Sequence, residues 1–464
     1  MQRNKITLRT IFSDAAIAIA CCLLSGAALI GGALPVAVLL GLSSAAVGTY
    51  IGLRHPLWLF WILAVTLAAL PFGYFPGVHA PLTFGFGTAV LLASLLHHSR
   101  VTAVSRLEIA VLLLVGASAV SVAATFESPT DIAEFGKWTV STLLVVVLLR
   151  LSTTDLTRFG RIYAVSSAAA ALFAIVIVAG DPNGRLISYL SPLGYGRESN
   201  STRFVYSAAG NTVRLAGTYI DPNTAGIGLV VALAVTLVVF TGWHRVALAT
   251  IFVVAVALTL SRAAMFSILG GLVVLVLFHT LSSRQRRTIL AALAVAVVAA
   301  VATPQVRRRV FSSFGSGDVG SSARADALDN FATVMHGHWL FGLGWGRPEF
   351  KEPSKSFEVN YVANAPLLTV YRGGIVTGVI FLTVLLVAAV IAYRTLRGTD
   401  TAHAALAGIF VGFTLVALQL DFPVVTIPSV TMMFSVLLVF LARNDPAAHQ
   451  KVSTPNMLAV AAAH

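Results

Sequence analysis

The sequence predicts an all-α polytopic membrane protein, with about 12–14 transmembrane helices and two long outer-face loops, the second carrying short amphipathic helices. Three observations carry this reading. Hydrophobic residues fill 57% of the 464 positions and charged residues only 11%, against roughly 25% charged in a soluble domain. Apolar stretches of about 16–22 residues recur from end to end, the length that crosses a bilayer core. The basic residues gather on one side once those stretches are laid out as spans. A large soluble domain, a disordered chain and a collagen-like chain are excluded by the same composition. Cys21 and Cys22 are the only cysteines. Adjacent within the first apolar run, they offer neither a disulfide framework nor a cysteine zinc site, and they read as small core residues.

Fourteen spans follow, near 12–31, 34–52, 57–73, 81–97, 107–124, 137–151, 162–180, 223–241, 245–260, 263–281, 288–303, 364–392, 402–420 and 427–442. Arg3, Lys5 and Arg9 precede the first as in a signal peptide. No small-residue cleavage site leads into a soluble domain, so this helix is expected to be retained. With the N-terminus in the cytoplasm, the inner connections hold Arg54, Arg100, Arg106, Arg150, Arg158, Arg161, Arg245, Arg284, Arg286, Arg287, Arg394 and Arg397. The inner side then nets +12 and the outer side +1 out of the formal +13, which is the positive-inside bias of short loops. The charge is a topology signal, and no nucleic-acid partner is expected. Arg307, Arg308 and Arg309 fall on the outer side, in a loop long enough to be exempt from that bias.

The organisation expected is therefore N-terminal helices over 1–180, a first outer loop over 181–222, central helices over 223–303, a second outer loop over 304–363, C-terminal helices over 364–442 and a cytoplasmic tail over 443–464. A bacterial plasma membrane with both termini in the cytoplasm is the expected location. Loops beyond roughly 15 residues in a compact protein are usually functional or disordered. These two are rich in Gly, Pro, Tyr, Trp, Phe and charge, which suits ordered binding loops; the second is read as the catalytic and acceptor region. A transporter carries its working residues near the midplane. Asp-Pro-Asn at 181–183 and again at 221–223 is too short to count as a repeat.

Four constellations can carry chemistry. Arg214 precedes Gly217, Asp221, Pro222 and Asn223, where the eighth span begins. Asp221 suits an N-cap and Pro222 the first turn. A helix start attracts anions, and Arg214 adds a bidentate phosphate donor; a plain capped helix with Arg214 pairing Asp221 is the alternative. Ser261-Arg262 splits the apolar run from 245 to 281. An arginine costs ~2.5–3.5 kcal/mol at the centre of a lone membrane helix, so Arg262 is either a snorkelling turn residue or a cation fixed to hold a diphosphate.

The third constellation joins Arg324 to His336, His338, Trp339, Gly342, Gly344, Trp345 and Gly346. Ala327, Leu328, Phe331, Val334 and Met335 recur at helical spacing, which predicts an amphipathic helix on the outer membrane surface. Trp345 and its glycines offer flat rings and close backbone approach for a sugar. His336 and His338 lack the i, i+4 spacing of a helical metal site and have no carboxylate cluster beside them, so no metal is expected. A general base or a hydrogen-bonding role fits them better. The fourth runs through Asn364 to Tyr371, Arg372, Gly373 and Gly374. Arg372 sits about two turns into the twelfth span and there requires an anion or a carboxylate, from Glu358, Asp421 or a bound phosphate; an ion pair between helices is the alternative. There is no Walker A, Gly-x-Ser-x-Gly, His-Glu-x-x-His or CxxC motif, and no inner loop is long enough for a nucleotide-sugar domain. Chemistry is expected on the outer face, without ATP and without a cofactor.

The order of Arg214, Gly217 and Asp221-Pro222-Asn223, then Ser261-Arg262, then a long loop with Arg324 and 342–346, then Asn364 and Gly373-Gly374 resembles the O-antigen ligase and polymerase family of integral-membrane glycosyltransferases. The resemblance covers mainly 205–380. It implies a metal-independent enzyme of GT-C type that moves a glycan from a polyprenyl-diphosphate carrier to an acceptor hydroxyl on the outer face. Arg214 and Arg262 match the arginines that hold the donor diphosphate, and Arg324 matches the loop arginine. Ligases carry His-Asn before the twelfth span, whereas this chain has Ala363-Asn364; that departure leans towards a polymerase-like or divergent transferase. Asp221, Asn223, Trp345, Asn364 and Arg372 are expected to contact substrate, with Glu358, Asp221 or His338 taking the acceptor proton. The partners expected are the bilayer, the lipid-linked glycan and an acceptor glycan or glycolipid. Two alternatives stay open: a flippase of lipid-linked glycan, in which the arginines only bind, and a scaffold subunit of an envelope assembly.

Overall fold

The computed structural model describes residues 47–48, 50–77, 80–97, 104–181, 185–195, 206–207, 210–219, 221–302, 328–347, 364–398, 400–417 and 428–443. After a helical stretch over 50–54 come α1 (Pro56–Ala69), α2 (Leu82–Leu96), α3 (Arg106–Thr125), α4 (Pro129–Leu149) and α5 (Thr153–Gly180). The first long loop holds the short α6 (Arg185–Ser188) and an antiparallel hairpin of β1 (Tyr206–Ser207) and β2 (Gly210–Val213). Then follow α7 (Pro222–Val239), α8 (Gly242–Thr259), α9 (Arg262–Phe278) and α10 (Ser283–Ala302). A helix over 328–334 lies in the second loop. α11 (Ala365–Leu396), α12 (Thr401–Ala417) and α13 (Pro428–Arg443) complete the bundle. Among the described residues, six helices are long and apolar enough to cross a membrane, and five shorter ones are apolar. The architecture is that of a polytopic membrane protein. The third to fourteenth spans read from the sequence each coincide with a helix; the first, and most of the second, lie outside the described residues.

Polar caps set where the apolar runs begin. Ser105 Oγ accepts from the Glu108 N–H at 3.1 Å while a Glu108 carboxylate oxygen accepts from the Ser105 N–H at 2.7 Å, a reciprocal box that satisfies two donors at the start of α3. Ser128 and Asp131 form the corresponding box on α4, Ser152 caps α5, and Asn364 Oδ1 accepts from the Leu367 N–H at 3.1 Å to start α11.

The two ends of the bundle differ in chemistry. At one end Arg150 lies 3.8 Å from Glu108, Arg161 donates to the Val239 carbonyl at 3.1 Å, and Arg158 sits 4.2 Å over the Trp61 ring. Arg443 reaches Thr153 there at 2.6 Å, and His279 Nδ1 lies 2.8 Å from the Leu396 oxygen. These are the connections the charge pattern assigns to the inner side. The other end, to which the long loops belong, carries the candidate site residues. Along α11, Ile375, Val379, Leu382, Leu386, Val390 and Tyr393 form an exposed stripe about 27 Å long at 1.5 Å per residue, close to the ~30 Å hydrocarbon thickness.

α7 is buried on nearly all sides, the mark of a central helix. α9 and α12 cross in close contact. A Cβ at Gly271 would lie 2.8 Å from the Ile409 Cα, and one at Gly408 would lie 2.5 Å from the Gly271 oxygen. Small residues four apart on each helix let the backbones touch. Gly412→Leu is therefore expected to prevent assembly of this pair, read as loss of the monodisperse peak in size-exclusion chromatography, whereas Leu386→Ala on the exposed stripe is expected to leave that peak unchanged.

The structure corrects one span. The twelfth was read as a continuous helix, but α11 is broken at Gly374, whose φ of 79° and ψ of 177° are non-helical. Those dihedrals belong to a region essentially restricted to glycine, so the Gly373-Gly374 pair permits the break. The surface helix expected from Ala327 to Met335 is seen over 328–334. Phe331 and Met335 turn inward while Leu328 and Val334 stay exposed; Ala327 lies outside the described residues.

Candidate active site

The first two constellations converge. Residues 214–215 lie along the end of α8, with the Leu215 N–H donating to the Leu258 oxygen at 3.0 Å. Arg214 is 5% exposed; its Nε donates to the Thr259 oxygen at 2.8 Å, and one terminal nitrogen reaches Asn223 Oδ1 at 3.0 Å and the Leu260 oxygen at 3.5 Å. The last carbonyls of a helix carry the negative end of its dipole, so they offset part of a buried guanidinium charge. Leu260 takes φ of 51°, a left-handed conformation costing roughly 1–2 kcal/mol for an L-residue. That turn swings the chain from α8 straight into α9. Ser261 then caps α9 through the Ala264 N–H, and the half-buried Arg262 is its first residue. Gly226 of α7 closes the other side: a Cβ there would lie 2.9 Å from the Ser261 Cβ. Arg214, Asn223 and the Ser261-Arg262 turn are thus one cluster.

Asp221 is the N-cap of α7, as its place before Pro222 predicts. One carboxylate oxygen accepts from the Asn223 N–H at 2.7 Å and the Thr224 N–H at 3.2 Å, and the other accepts from the Thr224 hydroxyl. The start of α7 therefore carries its own anion, and the helix donors that would face a phosphate are already engaged. Asn223 is tied to Arg214 rather than presenting a bare helix terminus.

The third and fourth constellations form a second assembly around the break in α11. The Leu343 N–H donates to the Tyr371 oxygen at 2.7 Å, the Gly344 N–H to the Arg372 oxygen at 3.3 Å, and the Ile375 N–H to the Trp339 oxygen at 2.8 Å. Loop 339–344 thereby supplies partners for backbone groups that the broken helix frees, as irregular backbone within a membrane requires. A Cβ at Gly374 would overlap the Leu340 carbonyl, and one at Gly342 would lie 2.6 Å from the Arg372 oxygen. Ser121 of α3 donates to the Phe341 oxygen at 2.6 Å and the Arg372 oxygen at 3.3 Å.

Trp345 was read as an open sugar-stacking ring. It is 1% exposed, with its centroid 4.5 Å from Trp138 and 5.6 Å from Phe135, and the Arg372 guanidinium 5.2 Å from its centroid. The ring is a platform for the buried Arg372, not a surface for a sugar. Trp339 and Phe341 are the open aromatics of this loop, at 42% and 40% exposed. His336 and His338 are exposed. Asn364 serves as the cap of α11. Arg324, Glu358 and Asp421 lie outside the described residues. Among those described, no three His, Cys, Asp or Glu side chains gather in a group able to hold a metal.

Sequence reasoning missed Asp131 and Ser121. Ser128-x-x-Asp131 is legible as a helix-start box, but nothing local reveals that the same carboxylate reaches Gly346.

Both assemblies bear on the comparisons with known proteins. Residues 246–382 match the family model described as O-antigen ligase, a stretch running from α8 through Arg262 and the second loop to the break in α11. No curated protein matches the chain. Over 246–382, the chain is similar to the O-antigen ligase family.

Proposed function

We propose that the protein is a glycosyltransferase acting at the outer face of a bacterial plasma membrane, moving a glycan from a polyprenyl-diphosphate carrier to an acceptor hydroxyl without a metal. The observation that carries this reading is that Arg214 bonds the Thr259 and Leu260 carbonyls at the turn where Arg262 begins α9, with Arg262 inside the segment that matches the family model. The acceptor oxygen attacks the anomeric carbon, the bond from that carbon to the phosphate oxygen breaks, and polyprenyl diphosphate leaves with the bonding pair. The charge that develops on the leaving group calls for fixed cations, and preorganised donors supply the largest catalytic contribution in such a site. Arg262 contacts the diphosphate, with Arg214 holding the turn that presents it and Arg324 adding charge from the loop. Arg372 anchors the second loop beside this end of the bundle. The acceptor proton passes to a base, His338 or Glu358. The positive charge of the inner connections supports an outward-facing site at this end.

A flippase is the second reading, and the broken α11 favours it, because interrupted helices are a transporter feature. Proteoliposomes carrying lipid-linked oligosaccharide and a soluble acceptor glycan separate the two. Transfer yields extended acceptor and free polyprenyl diphosphate; the flippase reading yields carrier moved between leaflets with its glycan still attached.

A further inference from the structure

Among the described residues, Asp131 has the most connected carboxylate at this end of the bundle. It is 4% exposed. One oxygen closes the turn between α3 and α4, accepting from the Glu127 N–H at 3.1 Å, the Ser128 N–H at 2.9 Å and the Ser128 hydroxyl at 3.4 Å. The other accepts from the Gly346 N–H at 2.7 Å, across 215 positions of sequence. Hydrogen bonds to an ionised acceptor are roughly twice as strong as neutral ones, so this is a strong fastening between two distant segments.

The fastening has a direction. Asp131, Phe135 and Trp138 are spaced i, i+4 and i+7 along one face of α4. Gly346 meets the carboxylate, Trp345 packs on Phe135 and Trp138, and Arg347 pairs with Glu127 at 2.6 Å. The same ring has the Arg372 guanidinium 5.2 Å from its centroid. Gly346 also leaves no room for slippage, since a Cβ there would lie 2.6 Å from Asp131 Oδ1.

We propose that Asp131 is a positioning residue that acts through Trp345 to fix Arg372 and the 339–346 loop against the break in α11. This rests on the transferase reading for its kinetic consequence, but not for its structural one. Losing the carboxylate frees 344–347 from α4, and the Trp345 platform moves with it. A displacement of about 1 Å at a group that orients substrate costs about 10²-fold in rate.

The test compares wild type, Asp131→Ala and Asp131→Asn in nanodiscs, by glycan transfer and by hydrogen exchange. Asp131→Ala is expected to lose about 10²-fold in kcat, and Asp131→Asn, whose single amide oxygen can serve either Gly346 or the 127–128 turn but not both, to recover only part of it. In an Arg372→Lys background, where the planar stack is already lost, Asp131→Ala should cost no more than about 2-fold. Exchange at 343–346 should rise about tenfold in Asp131→Ala, with α9 unchanged. An equal kcat loss in both backgrounds, or unaltered exchange at 343–346, overturns the proposal. If wild type transfers no glycan, the transferase reading fails, and exchange alone decides whether Asp131 fixes the loop.

Discussion

Arg262→Ala is expected to lower turnover by about 10²–10³-fold, the cost of removing one preorganised donor from a site where charge develops. The fold should persist. Arg262 is the first residue of α9, where its backbone is held by the Ser261 cap and the packing of Gly226, and its half-buried side chain is no part of those contacts. Arg262→Lys should recover part of the rate, because lysine supplies the charge but not the planar fork that grips two phosphate oxygens. The measurements are kcat and donor KM in nanodiscs, with size-exclusion profiles as the folding control. Wild-type turnover in Arg262→Ala would remove the arginine from the reaction. Arg214 is a poorer first target: its Nε and one terminal nitrogen hold the end of α8, so its loss confounds chemistry with packing.

Gly374→Ala is expected to have the largest effect on stability. The backbone there adopts φ of 79° and ψ of 177°, which costs an L-residue of order 1–3 kcal/mol, and the new methyl would overlap the Leu340 carbonyl. The chain must then either straighten α11 or push the 339–344 loop away, and both choices strand backbone groups that now pair with each other. Such groups cost several kcal/mol when unsatisfied in a membrane. The thermal midpoint should fall, with new proteolytic sensitivity within 336–347. Gly136→Ala on α4, where a Cβ would meet nothing within 4 Å, is the matched control and should behave as wild type. An undiminished midpoint in Gly374→Ala would mean that the break is not held by the loop.

The bundle was legible because its signal is repetitive. Apolar runs, capping residues and one-sided arginines each recur, and every one is a local property. Asp221 with Pro222 marks a helix start that the structure reproduces. The pairing of distant arginine motifs was only half legible. Arg214 and Arg262 could be named as cations, yet their convergence on one turn depends on Leu260 turning left-handed, which leucine does not advertise. The glycine-rich 342–346 segment misled for the opposite reason. Glycines beside a tryptophan suggest an open surface, but here each glycine admits a backbone or carboxylate from elsewhere, and Trp345 is enclosed as a result. Gly373-Gly374 similarly reads as a tolerated pair within a long helix until the loop that requires the break is seen. Asp131 was invisible because its second partner is a backbone N–H, which no side-chain pattern encodes.

The central claim is that the α8–α9 turn receives the diphosphate of a lipid-linked glycan. The most direct measurement is photo-crosslinking of the full-length protein in nanodiscs with a polyprenyl diphosphate that carries a photoreactive group beside the phosphates, followed by peptide mapping. Labelling within 211–223 and 256–265 that is competed by unmodified polyprenyl diphosphate and lost in Arg262→Ala is the predicted result. Competed labelling confined to the opposite end of the bundle, around Arg150, Arg161 and Arg245, would contradict it.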